Sequence, residues 1–393
     1  MAAREREEAA GERPAPLSLF EDVRADGADD GDEGADAAGG PAPSEDGEAR
    51  RRRRTRRVLV WTLVALFALL LGGTGVAYWT VDHYASSVER IPGAFPTLPA
   101  DKQPTAVPNT GTTFLLVGLD ARSDVPTTGT EAKAPAWKAG AQRSDTMMLL
   151  HIAADRKSAS IVSLARDTLV DIPGHGKAKI NAAYSWGGPS LMVETVQNLT
   201  GIRIDHIGVI DWNGFRALTD AVGGVDITIP QTIEARGDAR QWDAGTHHMD
   251  GAEALLYVRE RHGLPNGDLD RSKRQQNFLR ALMIQTMDAG TLGSPARLTG
   301  LLQAVGDVVS VDDRLSNTDL YELAWSMRGL RPDGVRFMNA PFGGFDSTAD
   351  GQSVVLLDRP AAATLWEAVR NDRMEQYLAE HRTSSDTLGD SVR

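Results

Sequence analysis

Val58–Thr80 (VLVWTLVALFALLLGGTGVAYWT), twenty-three consecutive residues without a charge, divides this chain into parts that cannot share one fold. At about 1.5 Å of rise per residue, a helix of that length crosses the hydrocarbon core of a bilayer. Seven arginines within Arg50–Arg57 stand directly before it, and a basic flank holds its side of a span in the cytoplasm. Trp61, Tyr78 and Trp79 lie near the two ends, where aromatic rings favour the interface. A cleaved signal peptide, with Gly75 and Ala77 as the small cleavage-site residues, fits less well. The charged leader exceeds fifty residues and the apolar run is too long. The sequence therefore predicts a transmembrane helix over 58–80 in a single-pass type II protein of the cell membrane, with its carboxyl portion outside.

The flanks agree with that division. Residues 1–49 hold fifteen Asp or Glu against four Arg, and past Met1 only Leu17, Leu19, Phe20 and Val23 are strongly apolar. Such a segment cannot bury enough surface to offset its ordering entropy, so 1–57 is expected to be a disordered acidic cytoplasmic tail ending in the basic block. The tail supplies −11 and the block +7 of a net −12, which leaves −8 for residues 58–393. An acidic globular part disfavours a nucleic-acid partner. The absence of cysteine removes disulfides and thiolate metal sites. Residues 81–112, rich in Pro, Thr and Ala, read as an extracytoplasmic linker.

Globular patterning begins at Thr113. Short apolar runs at Thr113–Gly118, Thr146–Ile152, Ala159–Leu164, His206–Ile210 and Val225–Ile229 suit buried strands. Helical patterns fall between and after them, at Ser190–Leu199, Trp212–Val222 and Met249–Leu256, and from Asp268 or Asp270 to about Ala289. Strands expected near 335–339 and 354–357, and helices at Thr318–Arg328 and Pro360–Asn371, complete the same domain over 113–372. The remaining 373–393 reads as a polar tail. This alternation predicts a three-layer α/β/α domain with helices on both faces of a central mixed sheet.

Four stretches carry charge where core packing would not put it. Asp120 and Arg122 follow the strand in LLVGLDARSD, and Arg143 and Asp145 precede the strand in QRSDTMMLLHI. Arg166 and Asp167 follow a strand in SLARDTLVDIPG. The fourth stretch, YVRERHGLPNGDLDRSKRQQNFLRAL, brings Arg259, Arg261, Arg271, Arg274 and Gln275 together just before an apolar helical pattern. Each alone could be a solvated turn or an ordinary ion pair. Together at strand termini they could converge on one cleft, and ligands of open α/β sheets collect there. Guanidinium forks hold phosphate or carboxylate oxygens by paired hydrogen bonds. Arg143, Arg166, Arg259, Arg261 and Arg271 would then surround phosphoryl groups, with an amide hydrogen bond from Gln275. Asp120 and Asp145 offer hard oxygen ligands for Mg2+, or Mn2+. Asp167 is a candidate general base. His247 and His248 lack a third histidine at metal spacing, Ser144 lacks a partner base, and no glycine-rich phosphate loop is present.

GLDAR, RSDTMML, ARDTLVDIPG with KINAAYSWGG, LTGIRIDHIGVIDWNGFRALTDAVGGVDI, and MDGAEALLYVRER with GDLDRSKRQQ follow one another across residues 112–290. In that order and spacing they resemble the LytR-CpsA-Psr family of bacterial envelope proteins. Ala165 departs from the pattern, since the family usually has proline there. The resemblance implies a membrane-anchored phosphotransferase that moves a glycopolymer from an undecaprenyl-pyrophosphate carrier to a peptidoglycan hydroxyl, leaving a phosphodiester and the lipid monophosphate. It implies an apolar cavity for the polyprenyl chain, the pyrophosphate at the arginine mouth, and magnesium on Asp120 and Asp145. A lipid-pyrophosphate hydrolase and a non-catalytic envelope regulator or binding protein are the alternatives.

Overall fold

The computed structural model describes residues 88–108, 111–121, 125–130, 132–233, 240–260, 268–288, 294–381 and 387–388. The predicted acidic tail and the transmembrane helix over 58–80 lie outside the described residues, among which no helix is long and apolar enough to cross a membrane.

Strand β1 (Arg90–Ile91) is followed by β2 (Thr112–Ala121), β3 (Gln142–Ile152) and β4 (Ala159–Leu164), then a hairpin of β5 (Leu169–Ile172) and β6 (Gly176–Lys179). Helix α1 (Asn181–Thr200) leads through β7 (His206–Asp211) into α2 (Trp212–Ala221). A second hairpin, β8 (Val225–Ile229) with β9 (Gly245–Met249), precedes α3 (Gly251–Arg259) and α4 (Asp268–Asp288). Next come α5 (Pro295–Val308), β10 (Val309–Asp312), α6 (Asn317–Ser326) and β11 (Val335–Asn339). A third hairpin, β12 (Phe342–Ser347) with β13 (Ser353–Leu357), is followed by α7 (Arg359–Arg370) and α8 (Met374–Glu380).

Seven strands form one mixed sheet in the order β1-β10-β7-β2-β3-β4-β11. Side chains alternate across it with period two, as strand geometry requires. Leu115, Val117 and Leu119 of β2 face a buried cluster with Met192, Val193 and Val196 of α1 and Leu365 and Trp366 of α7. Phe114 faces the other way, into a smaller buried cluster against which Leu279 and Met283 of α4 and Leu320 and Leu323 of α6, themselves partly exposed, are packed. Helices thus cover both faces, and the α4 side keeps apolar cavities against the sheet.

Several boundaries differ from the sequence expectation for identifiable reasons. Two helical segments meet in α1 at Gly188 (φ +65°), which is non-helical just before Pro189; the segment after it matches the helix expected from Ser190, and the turns from Asn181 to the kink were not expected. A Cβ at Gly188 would press within 2.7 Å of the Trp137 ring. Val225–Ile229 is a strand, but it pairs with β9 outside the main sheet, and its alternate burial marks one covered face. The stretch read as linker contributes β1, which pairs parallel to β10, and Phe95, which is buried beneath the Arg314 guanidinium. Within the expected polar tail, Met374 and Tyr377 of α8 are buried, and Leu388 donates its N–H to the Phe337 carbonyl at 2.8 Å. Isolated apolar residues among prolines or charges carry no period, so these two ends gave no sequence signal.

Candidate active site

Strand register brings three of the four charged stretches to one end of the sheet. Leu119 of β2 lies opposite Asp211 of β7, Asp120 lies opposite Arg143 of β3, and Met147 lies opposite Leu164 of β4. Arg166 and Asp167 follow Leu164 at once.

A β-bulge arranges the middle of this end. Gly118 pairs with Thr146 and Leu119 with Ser144, so Asp145 is the inserted residue with no counterpart on β2. Such an insertion reverses the alternation beyond it, which is how bulges re-aim side chains beside functional sites. Here it sets Arg143 opposite Asp120, on the same face as Thr146 and Met148, while Ser144 turns into the buried α1 side. Asp145 accepts a hydrogen bond from Arg166 (Nη1 to Oδ1, 2.7 Å). The Arg166 Nε lies 3.6 Å from Asp167, whose other oxygen is 3.0 Å from Lys179 Nζ. These four side chains are half-buried or nearly so, and the network fixes the loop after β4.

On the cavity face, Asp120 accepts a hydrogen bond from the indole Nε1–H of Trp212 at 3.1 Å. The Arg259 guanidinium lies over the same indole, 5.4 Å from its centroid. Trp212 therefore joins the carboxylate on β2 to the arginine at the end of α3. Arg143 and Arg259 are exposed. Trp212 opens α2 after Asp211, whose carboxylate caps that helix through Gly214 N–H (2.8 Å) and accepts from the Thr127 N–H and hydroxyl.

The arginine helix is more enclosed than its composition suggests. Arg271 is 3% exposed and Gln275 9%, one turn apart on the same face of α4. Arg274 donates to the Glu260 carbonyl at 3.3 Å and lies over the Tyr257 ring. Burial lowers the Arg274 pKa from its ordinary value and raises that of Tyr257. Gln276 is fully buried and donates to Ser163 Oγ, the Met338 carbonyl and Asn339 Oδ1 at 2.7–3.1 Å. That side chain pins α4 to the same ends of β4 and β11. Arg261 lies outside the described residues.

Beneath this rim lies an apolar cavity of about 260 Å³, walled by Met148, Trp212, Phe215 and Phe278, with Thr146 and Gln275 at its polar edge. A second apolar cavity, about 280 Å³, continues between sheet and helices toward Ile161 and Phe337. The two share Leu116, Leu218, Leu279 and Leu282 as a common wall. Leu279 and Leu282 of α4 thus face a hollow part of the core. Among the described residues a larger groove of mixed polarity, about 820 Å³, lies at the opposite end of β4 beside Ala159 and contains none of the site residues.

The site therefore combines an apolar hollow, a cationic rim and two carboxylates on neighbouring strands. Sequence reading placed Asp120, Arg143, Asp145, Arg166, Asp167 and Gln275 at this end of the sheet. It missed Trp212, Lys179 and Gln276, which orient those groups. Trp212 sits where β7 turns into α2, and an aromatic at a strand end was its only signal.

The LytR_cpsA_psr family model matches residues 96–371, which takes in every strand of the main sheet but β1, together with both cavities. This chain belongs to the LytR-CpsA-Psr family. Among LytR-CpsA-Psr relatives, the cell wall biosynthesis protein LcpA of Corynebacterium glutamicum is 32% identical over 76% of this chain and 62% of its own length. The polyisoprenyl-teichoic acid–peptidoglycan teichoic acid transferase TagU of Enterococcus faecalis is 32% identical over 69% of this chain and 82% of its own. The crystal structure of B. subtilis TagV superposes with a TM-score of 0.54 at 26% identity, over 68% of this chain and 98% of that one. The chain spans a little over three-fifths of the length of LcpA and of the related LcpB.

Proposed function

We propose that this domain transfers a glycopolymer from a polyprenyl-pyrophosphate carrier to peptidoglycan, with a phosphodiester as the product linkage. The observation that carries the reading is the apolar hollow walled by Trp212, whose indole lies under the Arg259 guanidinium, with Gln275 at its edge. A polyisoprenoid tail gains roughly 0.8 kcal/mol for each CH2 it buries, whereas its diphosphate needs charge and hydrogen-bond donors. One site offers both, and the TagU relative is named for the same chemistry.

In this reading the tail lies against Leu116, Leu279 and Leu282, with the pyrophosphate at the rim. Arg143, Arg166, Arg259, Arg261 and Arg271 offset its charge and hold the bridging oxygen in line with the incoming hydroxyl, and Gln275 donates an amide hydrogen bond. The acceptor hydroxyl attacks the phosphorus bonded to the glycopolymer, and the bond to the bridging oxygen breaks. The polyprenyl monophosphate leaves with the bridging oxygen, and Asp167 takes the hydroxyl proton. Phosphoryl transfer needs mainly this positioning and charge stabilisation.

Asp120 and Asp145 would hold a magnesium ion, or manganese. The donor chemistry fits, because such ions take one or two carboxylates and complete their shell with water and phosphate oxygens. Among the described residues Asp120 accepts a hydrogen bond only from the neutral Trp212 indole, whereas Asp145 is already paired with Arg166 at 2.7 Å. The ion would supply charge neutralisation on the pyrophosphate.

The uncharged run at 58–80 behind its arginine block supports a membrane anchor that keeps the domain beside lipid-linked donors outside the cell. The test is incubation of the purified full chain with lipid-linked donor and peptidoglycan. Wall-linked glycopolymer is the expected product. Release of free phosphorylated glycan alone would make the protein a hydrolase and overturn transfer.

A further inference from the structure

Two of the exposed large apolar side chains in the described residues, Phe342 (43% exposed) and Phe345 (58%), share one hairpin, with ring centroids 4.9 Å apart. Residues three apart on a regular strand face opposite ways. These two meet because the β12–β13 register slips between Phe342 and Gly344, making Gly343 the inserted residue. Only glycine fits there, since a Cβ would lie 2.7 Å from the Asp358 nitrogen. The backbone is thus shaped to hold two phenyl rings together in water, and contiguous exposed apolar surface usually marks a binding site.

The hairpin is fastened to the reacting end of the domain. Val355 of β13 donates its N–H to the Asp167 carbonyl at 2.9 Å and bridges in parallel to Thr168. Phe345 lies directly opposite Val355. At about 4.8 Å per strand, the Phe345 backbone is roughly 10 Å from that of Thr168, about two strand spacings. Residues 342–358 contain Asp346, Asp350 and Asp358 and no Lys or Arg. That charge opposes both an anionic lipid surface and an anionic polymer. A pyranose ring suits the pair, because the C–H bonds of its apolar face meet the electron-rich faces of aromatic rings.

We propose that the β12–β13 hairpin is a carbohydrate subsite in which Phe342 and Phe345 stack on a neutral pyranose ring of the glycan acceptor, placing its hydroxyl near Asp167. This assignment rests on the transferase reading for its role, though the subsite itself can be measured without turnover. The probe is a neutral N-acetylglucosamine tetramer, titrated into the full chain in nanodiscs and followed by NMR. The wild-type protein should bind it, and the Phe342→Ala/Phe345→Ala double variant should bind at least tenfold more weakly with an unchanged thermal midpoint. Phe345→Trp, which keeps an aromatic face, should retain binding. In the transfer assay the double variant should raise the acceptor KM at least tenfold while the KM for lipid-linked donor holds. Equal tetramer binding by wild type and double variant, no binding by wild type, or loss of vesicle binding in place of tetramer binding would each overturn the subsite. Failure of the wild-type protein to transfer would count against the function, and the titration would still decide the subsite.

Discussion

Trp212 has two jobs that one substitution can separate, since its ring carries Arg259 and its N–H holds Asp120. Trp212→Phe keeps the aromatic face and removes the donor, at a cost of about 1 kcal/mol in stability. If Asp120 is a metal ligand, the magnesium concentration giving half-maximal transfer should rise several-fold; an unchanged magnesium response would separate Asp120 from the metal. The arginines divide by burial. Arg259 is exposed, so Arg259→Ala should abolish transfer and leave the urea midpoint nearly unchanged. Arg271 is almost fully enclosed, and Arg271→Ala should lose transfer and stability together. Denaturation curves of the two variants, recorded beside their activities, would show whether that division holds.

Helix α4 shows how much of the site was readable from the sequence. Its limits, its arginines and its apolar stripe all followed from period and spacing. Its burial did not, because Gln276 looks like any polar helical residue until Ser163, Met338 and Asn339 are brought beneath it. Gln276→Ala should cost about 2–3 kcal/mol, since it removes the buried amide that ties α4 to β4 and β11. A loss under about 0.5 kcal/mol would mean that α4 is held by its apolar face alone. The same limit applies to the bulge at Asp145. RSDTMML announces a strand preceded by charge, but which residue is inserted depends on the partner strand, and that decides which way Arg143 faces. Likewise Leu279 and Leu282 showed helical period, which cannot distinguish a filled core from a hollow one. Leu282→Trp should fill the hollow. Its thermal midpoint should hold or rise, while polyprenyl-phosphate binding is lost; retained binding would place the lipid elsewhere.

Across the whole molecule, the end of the sheet away from the rim also carries a titratable group that bears on stability. His151 is buried near the end of β3 away from the rim, between Thr113 Oγ1 (2.9 Å) and Asp372 Oδ1 (3.1 Å). Burial lowers its pKa below the ordinary value despite the Asp372 carboxylate. Below about pH 6.5 the unfolded chain therefore binds more protons than the folded one, and stability falls as the pH drops toward the folded-state pKa. The thermal midpoint should decline between about pH 7 and 5, and His151→Gln should flatten that part of the profile. An unaltered slope would assign the decline to other groups. The central claim, that an isoprenoid tail lies between sheet and α4 with its pyrophosphate at the arginine rim, is tested most directly by photocrosslinking. A polyprenyl pyrophosphate carrying a photoreactive group on its tail would be irradiated with the full chain and the adducts mapped by mass spectrometry. Adducts should concentrate on Leu116, Met148, Phe278, Leu279 and Leu282, and free polyprenyl phosphate should compete them away. Adducts confined to other surfaces, or none that polyprenyl phosphate displaces, would contradict it.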